Sequence, residues 1–347
     1  MNRFLRNVWY VAGWGYELVA GKALGRTLAD IPVALYRETN GEVHALLDRC
    51  PHRFAPLSLG QVEGASLRCG YHGLRFGADG RCQENPHGPL SAVLTVRGFP
   101  VIERHRLLWV WLGELDQADP AEIPSLHFLD QTPAVAFISG YVPTHADHLL
   151  MVDNILDLTH ADYLHPDSLG GGSITRSKAH IERVAPQCLK VRWDALNEPP
   201  LPIMRMNFPE PDALIDMWTE VTWWPNGLMV LSVGGFRTGG NRAHAMEVKA
   251  VHIMTPERAG KTHYFYSNSR NFATDDAEVT NAFAKALRFA FEQQDKPMIE
   301  AQQRVIGEVD LMTLKPALQP SDAASTQARR IFSERLRAEQ SAAAVMR

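Results

Sequence analysis

Cysteine is scarce in this chain, four residues in 347, which excludes a disulfide framework and leaves each thiol to be explained singly. Basic residues are in no excess. With 35 Lys and Arg against 39 Asp and Glu the formal net charge is -4, the wrong balance for a nucleic-acid partner. No apolar run approaches the roughly 20 residues of a membrane span, and Met1-Asn2-Arg3-Phe4-Leu5-Arg6 lacks the apolar core of a signal peptide. Internal repeats are missing as well. What is present is ordinary globular usage, 45% hydrophobic and 21% charged, in a chain long enough for two domains. A soluble, cytoplasmic α+β protein is expected.

Residues 7–114 are punctuated like a small all-β unit. Ile31 to Arg37 and Val43 to Leu47 flank Thr39-Asn40-Gly41, and Asn-Gly between two apolar runs predicts a hairpin with both central residues at positive φ. Asp79-Gly80 predicts a second hairpin. Leu107 to Leu112 reads as a buried strand, and Asp116 to Pro124 as a linker, so the expected domains are 1–115 and 116–347. Beyond the linker, His148 to His165 has the spacing of one amphipathic helix, with Asp153, Asn154, Asp157 and His160 crowding one sector. Strand character recurs near 188–194, 214–224, 228–236, 244–254 and 261–269, which predicts an antiparallel sheet with Met246, Val248, Ala250 and His252 on one face. Asp275 to Gly307 reads as a long helix that Pro297 kinks or splits, and Ser321 onward as a terminal helix. Gly170-Gly171-Gly172 has no strand before it and no helix after it, so it is not read as a phosphate loop.

Two of the four cysteines sit in Cys50-Pro51-His52 and Cys69-Gly70-Tyr71-His72, separated by sixteen residues between His52 and Cys69. Each piece offers one sulfur and one nitrogen. Two opposed loops would put both thiolates on one iron and both imidazoles on the other, a [2Fe-2S] centre whose neutral nitrogens raise its potential above that of all-cysteine clusters. Structural zinc with the same four ligands is the competing reading, although zinc sites usually group cysteine with cysteine. Cys82 reads as a small packed hydrophobe.

A second constellation lies in Asp157-Leu158-Thr159-His160-Ala161-Asp162-Tyr163-Leu164-His165. If the helix loosens near Asp162, His160 and His165 converge on one ion, and a carboxylate completes a face that leaves positions open on iron(II). Spacing leaves that carboxylate open among Asp157, Asp216, Glu247, Glu292 and Asp295. Asp157, one turn before His160, is equally placed to orient its imidazole.

With both constellations in view, the chain resembles the oxygenase component of Rieske non-haem iron oxygenases. Cys50-Pro51-His52-Arg53 with Cys69-Gly70-Tyr71-His72-Gly73 matches the Rieske pattern, and Asn154-x-x-Asp157-x-x-His160-x4-His165 the mononuclear iron pattern. Asn7-Val8-Trp9-Tyr10-Val11-Ala12, Val152-Asp153-Asn154-Ile155-Leu156-Asp157 and Ser269-Arg270-Asn271-Phe272 look most like the vanillate and dicamba O-demethylase branch. The resemblance implies an N-terminal all-β [2Fe-2S] domain held by Cys50, His52, Cys69 and His72. It implies a catalytic domain of antiparallel sheet covered by helices, with mononuclear Fe(II) on His160, His165 and Asp295. Homotrimers are implied, in which Asp157 bridges His72 of one subunit to His160 of the next, with Asn154 near the iron.

The implied activity is O2-dependent monooxygenation of a methoxy- or methyl-substituted aromatic compound, with O-demethylation releasing formaldehyde. A separate flavin and iron-sulfur reductase, drawing on NADH, is the implied electron source. His252 matches a histidine that contacts the substrate in this branch. The branch's tryptophan and asparagine have no counterpart, their places lying near Ala286 and in Met229-Val230-Leu231. Ring dihydroxylation or N-demethylation would use the same metals, and a Rieske electron carrier would need neither His160, His165 nor Asp295.

Overall fold

A computed structural model describes residues 3–345, and they cluster into two compact units. One holds the chain up to His127, joined by Thr255–Arg258 and the end of the chain from Ala338; the other holds Phe128–Met254 and Ala259–Arg337. Among the described residues, no helix is long and apolar enough to cross a membrane.

The first unit is built from three small antiparallel sheets. Trp9–Trp14 pairs with Leu107–Trp111, which also pairs with Val101–Arg104; all of Leu107–Trp111 is buried, and Trp9 faces Trp111 across the ladder with ring centroids 5.6 Å apart. A second sheet runs Ala23–Leu28, Ile31–Arg37, Val43–Leu47 and Gly98–Phe99, and a third Gln61–Glu63, Ser66–Arg68, Arg75–Gly77 and Cys82–Glu84.

Both expected hairpins are present, with a different turn from the one expected. Glu38 N–H donates to Glu42 O at 2.9 Å and Gly41 N–H to Glu38 O at 3.0 Å; Gly41 has φ +94, and Asn40 does not take positive φ. The connection is a three-residue loop in which glycine alone supplies the left-handed position. Gly80 repeats it at φ +79, beneath Val96 O, where a Cβ would stand 1.9 Å from that oxygen.

The second unit carries a seven-stranded antiparallel sheet, ordered Phe137–Thr144, Lys261–Arg270, Met246–Arg258, Leu228–Arg237, Ile215–Trp223, Cys188–Glu198 and His180–Ala185. Five of these strands are the expected ones. The two edge strands escaped the sequence reading: Phe137–Thr144 carries Gly140 and Pro143, tolerated where one side of the backbone is unpaired, and His180–Ala185 is mostly exposed. Against the sheet lies the helical stretch Ala277–Arg288, Phe289–Asp295 and Lys296–Ile306, whose middle segment is a π-helix. Pro297 sits in the first turn of the last segment, so the ladder disturbance expected from its missing N–H takes the form of a widened turn just before it. Phe291 in that segment packs on His252, Tyr264 and Tyr266 with ring centroids 5.6, 5.9 and 4.9 Å away.

Candidate metal centres

The two Cys/His loops are built alike. In the first, Cys50 N–H donates to Ala55 O and Phe54 N–H returns to Cys50 O; in the second, Cys69 N–H donates to Leu74 O and Gly73 N–H to Cys69 O, all at 2.8–3.1 Å. Each closes through its fifth residue in the left-handed region, Phe54 at φ 60 and Gly73 at φ 76. Glycine adopts that conformation freely; phenylalanine is strained in it. Arg68 clamps the second loop, donating to Gly73 O at 2.9 Å while its other nitrogens hold Glu63 and Glu84.

Both thiols are buried in one apolar cluster with Leu57, Leu67, Leu74 and Phe76, whereas His52 is exposed and His72 half-buried. Sulfur therefore lies inside and nitrogen outside. Burial, together with the adjacent Cys69 thiol, pushes Cys50 up to about 11, against the pull of backbone N–H groups of His52 and Arg53. Two thiols side by side in an apolar core become thiolates when a cation compensates them, and those amides already point at one sulfur. The imidazoles stand 4.5 Å apart between centroids. Desolvation, then the neighbours His52, Arg53 and His87, hold His72 below its ordinary value, which keeps its nitrogen lone pair available. The donor set fits a cluster with buried sulfur and outward nitrogen ligands.

The second constellation is not one continuous helix, contrary to expectation. The helix His148–Leu156 stops at Asp157, whose φ of -122 and ψ of 86 leave the helical region. Asp157 Oδ1 accepts from Thr159 N–H at 3.1 Å and Thr159 hydroxyl at 2.6 Å, capping a new turn, Leu158–His160, that continues through Ala161–Leu164. The loosening thus falls at Asp157 and not at Asp162. Asp162 instead receives the backbone N–H groups of Gly171, Gly172 and Thr175, so an internal carboxylate fills the turn made by the glycine run.

His160, His165 and Asp295 come together, their ligand atoms all within 4.8 Å of one another. Asp216 accepts from Asn197 N–H and the Thr238 hydroxyl, Glu247 pairs with Lys249, and Glu292 lies beside Arg288, so none of these three joins them. Each imidazole spends Nδ1 on an acceptor, the Asp157 carbonyl at 2.7 Å for His160 and Gln294 Oε1 at 2.8 Å for His165. Gln294 is fixed in turn by donating to Leu164 O at 2.7 Å. With Nδ1 as donor, the neutral rings face inward with bare Nε2 lone pairs, 3.5 and 3.0 Å from Asp295 Oδ1. Three acceptors converging with no hydrogen between them require a cation or an added proton. Burial opposes ionisation of Asp295, but hydrogen bonds and charge from the two imidazoles, when a proton is added to them, outweigh it and hold the carboxyl down at about 2; Asp295 raises His160 in return, burial again opposing. The arrangement fits a divalent metal with two nitrogens and one carboxylate on one face.

Asn154 reaches this carboxylate, Nδ2 lying 3.5 Å from Asp295 Oδ1. Asp157 meets His160 through its backbone carbonyl, leaving its side chain to the cap. A cavity of about 850 Å³, its mouth included, opens beside the three residues. Its wall is largely apolar, with Leu158, Leu231, Val248 and Phe283 among the contributors. Of the apolar run 229–231 Leu231 lines it; Ala286 does not, and Leu287 does. His252 lines the wall too, its Nδ1 2.8 Å from the Tyr264 hydroxyl, and burial drives its value down to about 4. Gln294 was missed by sequence reasoning. It adjoins a ligand candidate but carries no spacing of its own.

Two family models match the chain, the Rieske [2Fe-2S] domain over residues 8–97 and the vanillate O-demethylase oxygenase C-terminal domain over 144–338. The dicamba O-demethylase oxygenase component of Stenotrophomonas maltophilia is 36% identical, covering 94% of this chain and 96% of that protein. The chloroacetanilide N-alkylformylase oxygenase component of Rhizorhabdus wittichii is 34% identical over 97% of each chain. A crystal structure of dicamba monooxygenase bound to dicamba superposes with a TM-score of 0.89 at 35% identity, covering 97% of this chain and 99% of that one.

Proposed function

Since the chain belongs to the Rieske non-haem iron oxygenases, within the vanillate O-demethylase oxygenase family, we propose that it is the terminal oxygenase of a multicomponent system that monooxygenates a methoxy- or methyl-substituted aromatic compound. The observation that carries this reading is the acceptor-rich trio of His160, His165 and Asp295 opening onto a largely apolar cavity. Cys50, His52, Cys69 and His72 would hold the [2Fe-2S] cluster, and the trio the mononuclear iron. When bound, the iron supplies dioxygen activation and the cluster supplies single electrons.

The chain's own groups orient and exclude. The Asp157 carbonyl and Gln294 amide fix which nitrogen of each histidine faces inward, and Asn154 Nδ2 approaches the Asp295 carboxylate. The apolar wall keeps water from the ring and its methyl group. Asp157, whose backbone carbonyl already holds His160, is proposed to link that histidine to His72 of a neighbouring copy in a homotrimer. O-Demethylation takes up one dioxygen, two electrons and two protons and yields a phenol, formaldehyde and water. NADH supplies the electrons through a separate flavin and iron-sulfur reductase.

The similarity to the chloroacetanilide N-alkylformylase favours N-dealkylation as the second reading. A panel of methoxylated, methylated and N-methyl aromatics, scored for substrate-dependent oxygen uptake and formaldehyde with a surrogate reductase, separates the two. Formaldehyde matched to oxygen on a methoxy compound is the expected result. A cis-diol carrying both oxygens of one dioxygen would overturn the monooxygenase assignment.

A further inference from the structure

The helix Ala323–Val345 grips the one that leads to His160. It turns Ala324, Ala328, Ile331 and Phe332 inward, and among these buried side chains stands Arg329, 7% exposed. The Arg329 guanidinium closes a fork on the Asp153 carboxylate, Nε donating at 3.0 and 2.9 Å and Nη2 at 2.6 Å, while Nη1 reaches Asp310 at 3.4 Å. Asp153 lies in the last turn of His148–Leu156. Its backbone carbonyl accepts from Asp157 N–H at 3.0 Å, and the Asp157 carbonyl in turn holds His160 Nδ1 at 2.7 Å. Beside it, Asn154 brings Nδ2 to 3.5 Å from Asp295 Oδ1. The start of the same helix is tied to the helix that follows Asp295, His145 N–H donating to Glu300 Oε1 at 2.8 Å and Asp147 N–H to Gln303 Oε1 at 2.7 Å. Those two bonds anchor its beginning, and the fork fixes the rotation of its end.

A planar guanidinium seated on a carboxylate through two nitrogens sets an angle as well as a distance, which the point charge of an ammonium does not. Asp153 is largely buried, so without its partner the carboxylate takes up a proton or turns toward water, and either outcome frees the last turn of the helix. We propose that Arg329 is a positioning residue for the trio: through Asp153 it sets the rotation of the helix end that bears Asn154 and Asp157, and so the direction in which His160 Nε2 points. The inference rests on the metal-centre reading and extends it to a residue outside both the trio and the cavity wall. Hydrogen bonds run without a gap from Arg329 to His160, which is the physical connection such a coupling needs.

The test loads the full-length enzyme with iron(II) under anaerobic conditions. For each variant it reads the melting temperature, the affinity of the single iron by competition with a chelator, and the electron paramagnetic resonance of its nitric oxide adduct. Arg329→Lys keeps the charge and loses the fork; it should weaken the iron about five- to tenfold and shift the adduct signal, with the visible cluster absorption unchanged. Asp153→Leu combined with Arg329→Met replaces the pair by apolar side chains and should restore the melting temperature, as buried pairs commonly allow, while leaving the iron equally weakened. Ile331→Ala removes buried apolar volume from the same helix with the fork intact, and should lower the melting temperature with less than about a twofold effect on the iron. Iron affinity unchanged in Arg329→Lys, affinity recovered together with the melting temperature in the double variant, or an equal loss of affinity in Ile331→Ala would overturn the inference. Should Arg329→Lys not fold, the double variant decides alone. Wild-type enzyme that holds no single iron would sink the metal-centre reading and this inference with it; an iron bound alike by the wild type and every variant sinks the inference alone.

Discussion

The two metal constellations solve opposite problems. At the Cys/His loops the donors come from two short turns of the same design, with both thiols buried, His52 exposed and His72 half-buried. At the His/Asp trio the donors come from segments 130 residues apart, His165 is 1% exposed on its side chain, and the open side faces a cavity rather than solvent. On the proposed reading, the contrast is that between a centre where electrons enter and a centre where the chemistry takes place. In that reading an exposed His52 would let another protein surface approach the first centre, while the largely apolar wall beside the second would limit water around an apolar substrate.

The largest effect expected to sharpen this division is His160→Ala, which should reduce turnover to background and release the mononuclear iron while the visible cluster absorption persists. Loss of that absorption as well would show that the two centres are not independent. Asp157→Asn should keep both metals and lower coupled turnover about 10–100-fold, because the cap survives partly while the charge is lost; steady-state oxygen uptake beside metal content checks it, and full retained activity would contradict the bridging role. Gln294→Leu removes the acceptor from His165 Nδ1 and should weaken iron binding about tenfold, with Gln294→Glu restoring it, as read by competition with a chelator.

The smallest effects compare the two loops directly. Gly73→Ala, at φ 76 with its Cβ 3.2 Å from Pro86 Cγ, should destabilise by about 1 kcal/mol or more. Phe54→Gly, at the matching position, should fall within about 1 kcal/mol of neutral, since relieved strain offsets the added freedom of the unfolded chain. Thermal melts of the two variants would break the parallel if Phe54→Gly proved the more damaging.

Legibility in the sequence followed the same division. The Cys/His loops were readable because each carries its candidate ligands within four residues, and the all-β frame around them because Asn40-Gly41 and Asp79-Gly80 mark its turns, even though in the first of these turns Gly41 alone took the left-handed conformation. His160 and His165 were readable as a pair, but the break fell at Asp157, where a side chain captured the next turn's N–H groups, a local competition that helical periodicity does not reveal. Spacing left the carboxylate open among five candidates; family resemblance pointed to Asp295, and the π-helix shows how that residue reaches the histidines. Gln294 matters only through what packs beside it, and the strand Phe137–Thr144 was hidden by Gly140 and Pro143, which mark edges as often as loops.

The central claim is that one chain holds a two-iron cluster and a separate single iron. Iron quantitation on anaerobically purified enzyme tests it most directly. About three irons per chain are predicted, falling to about two in His160→Ala with the visible spectrum unchanged; about two in the wild-type enzyme would contradict the account.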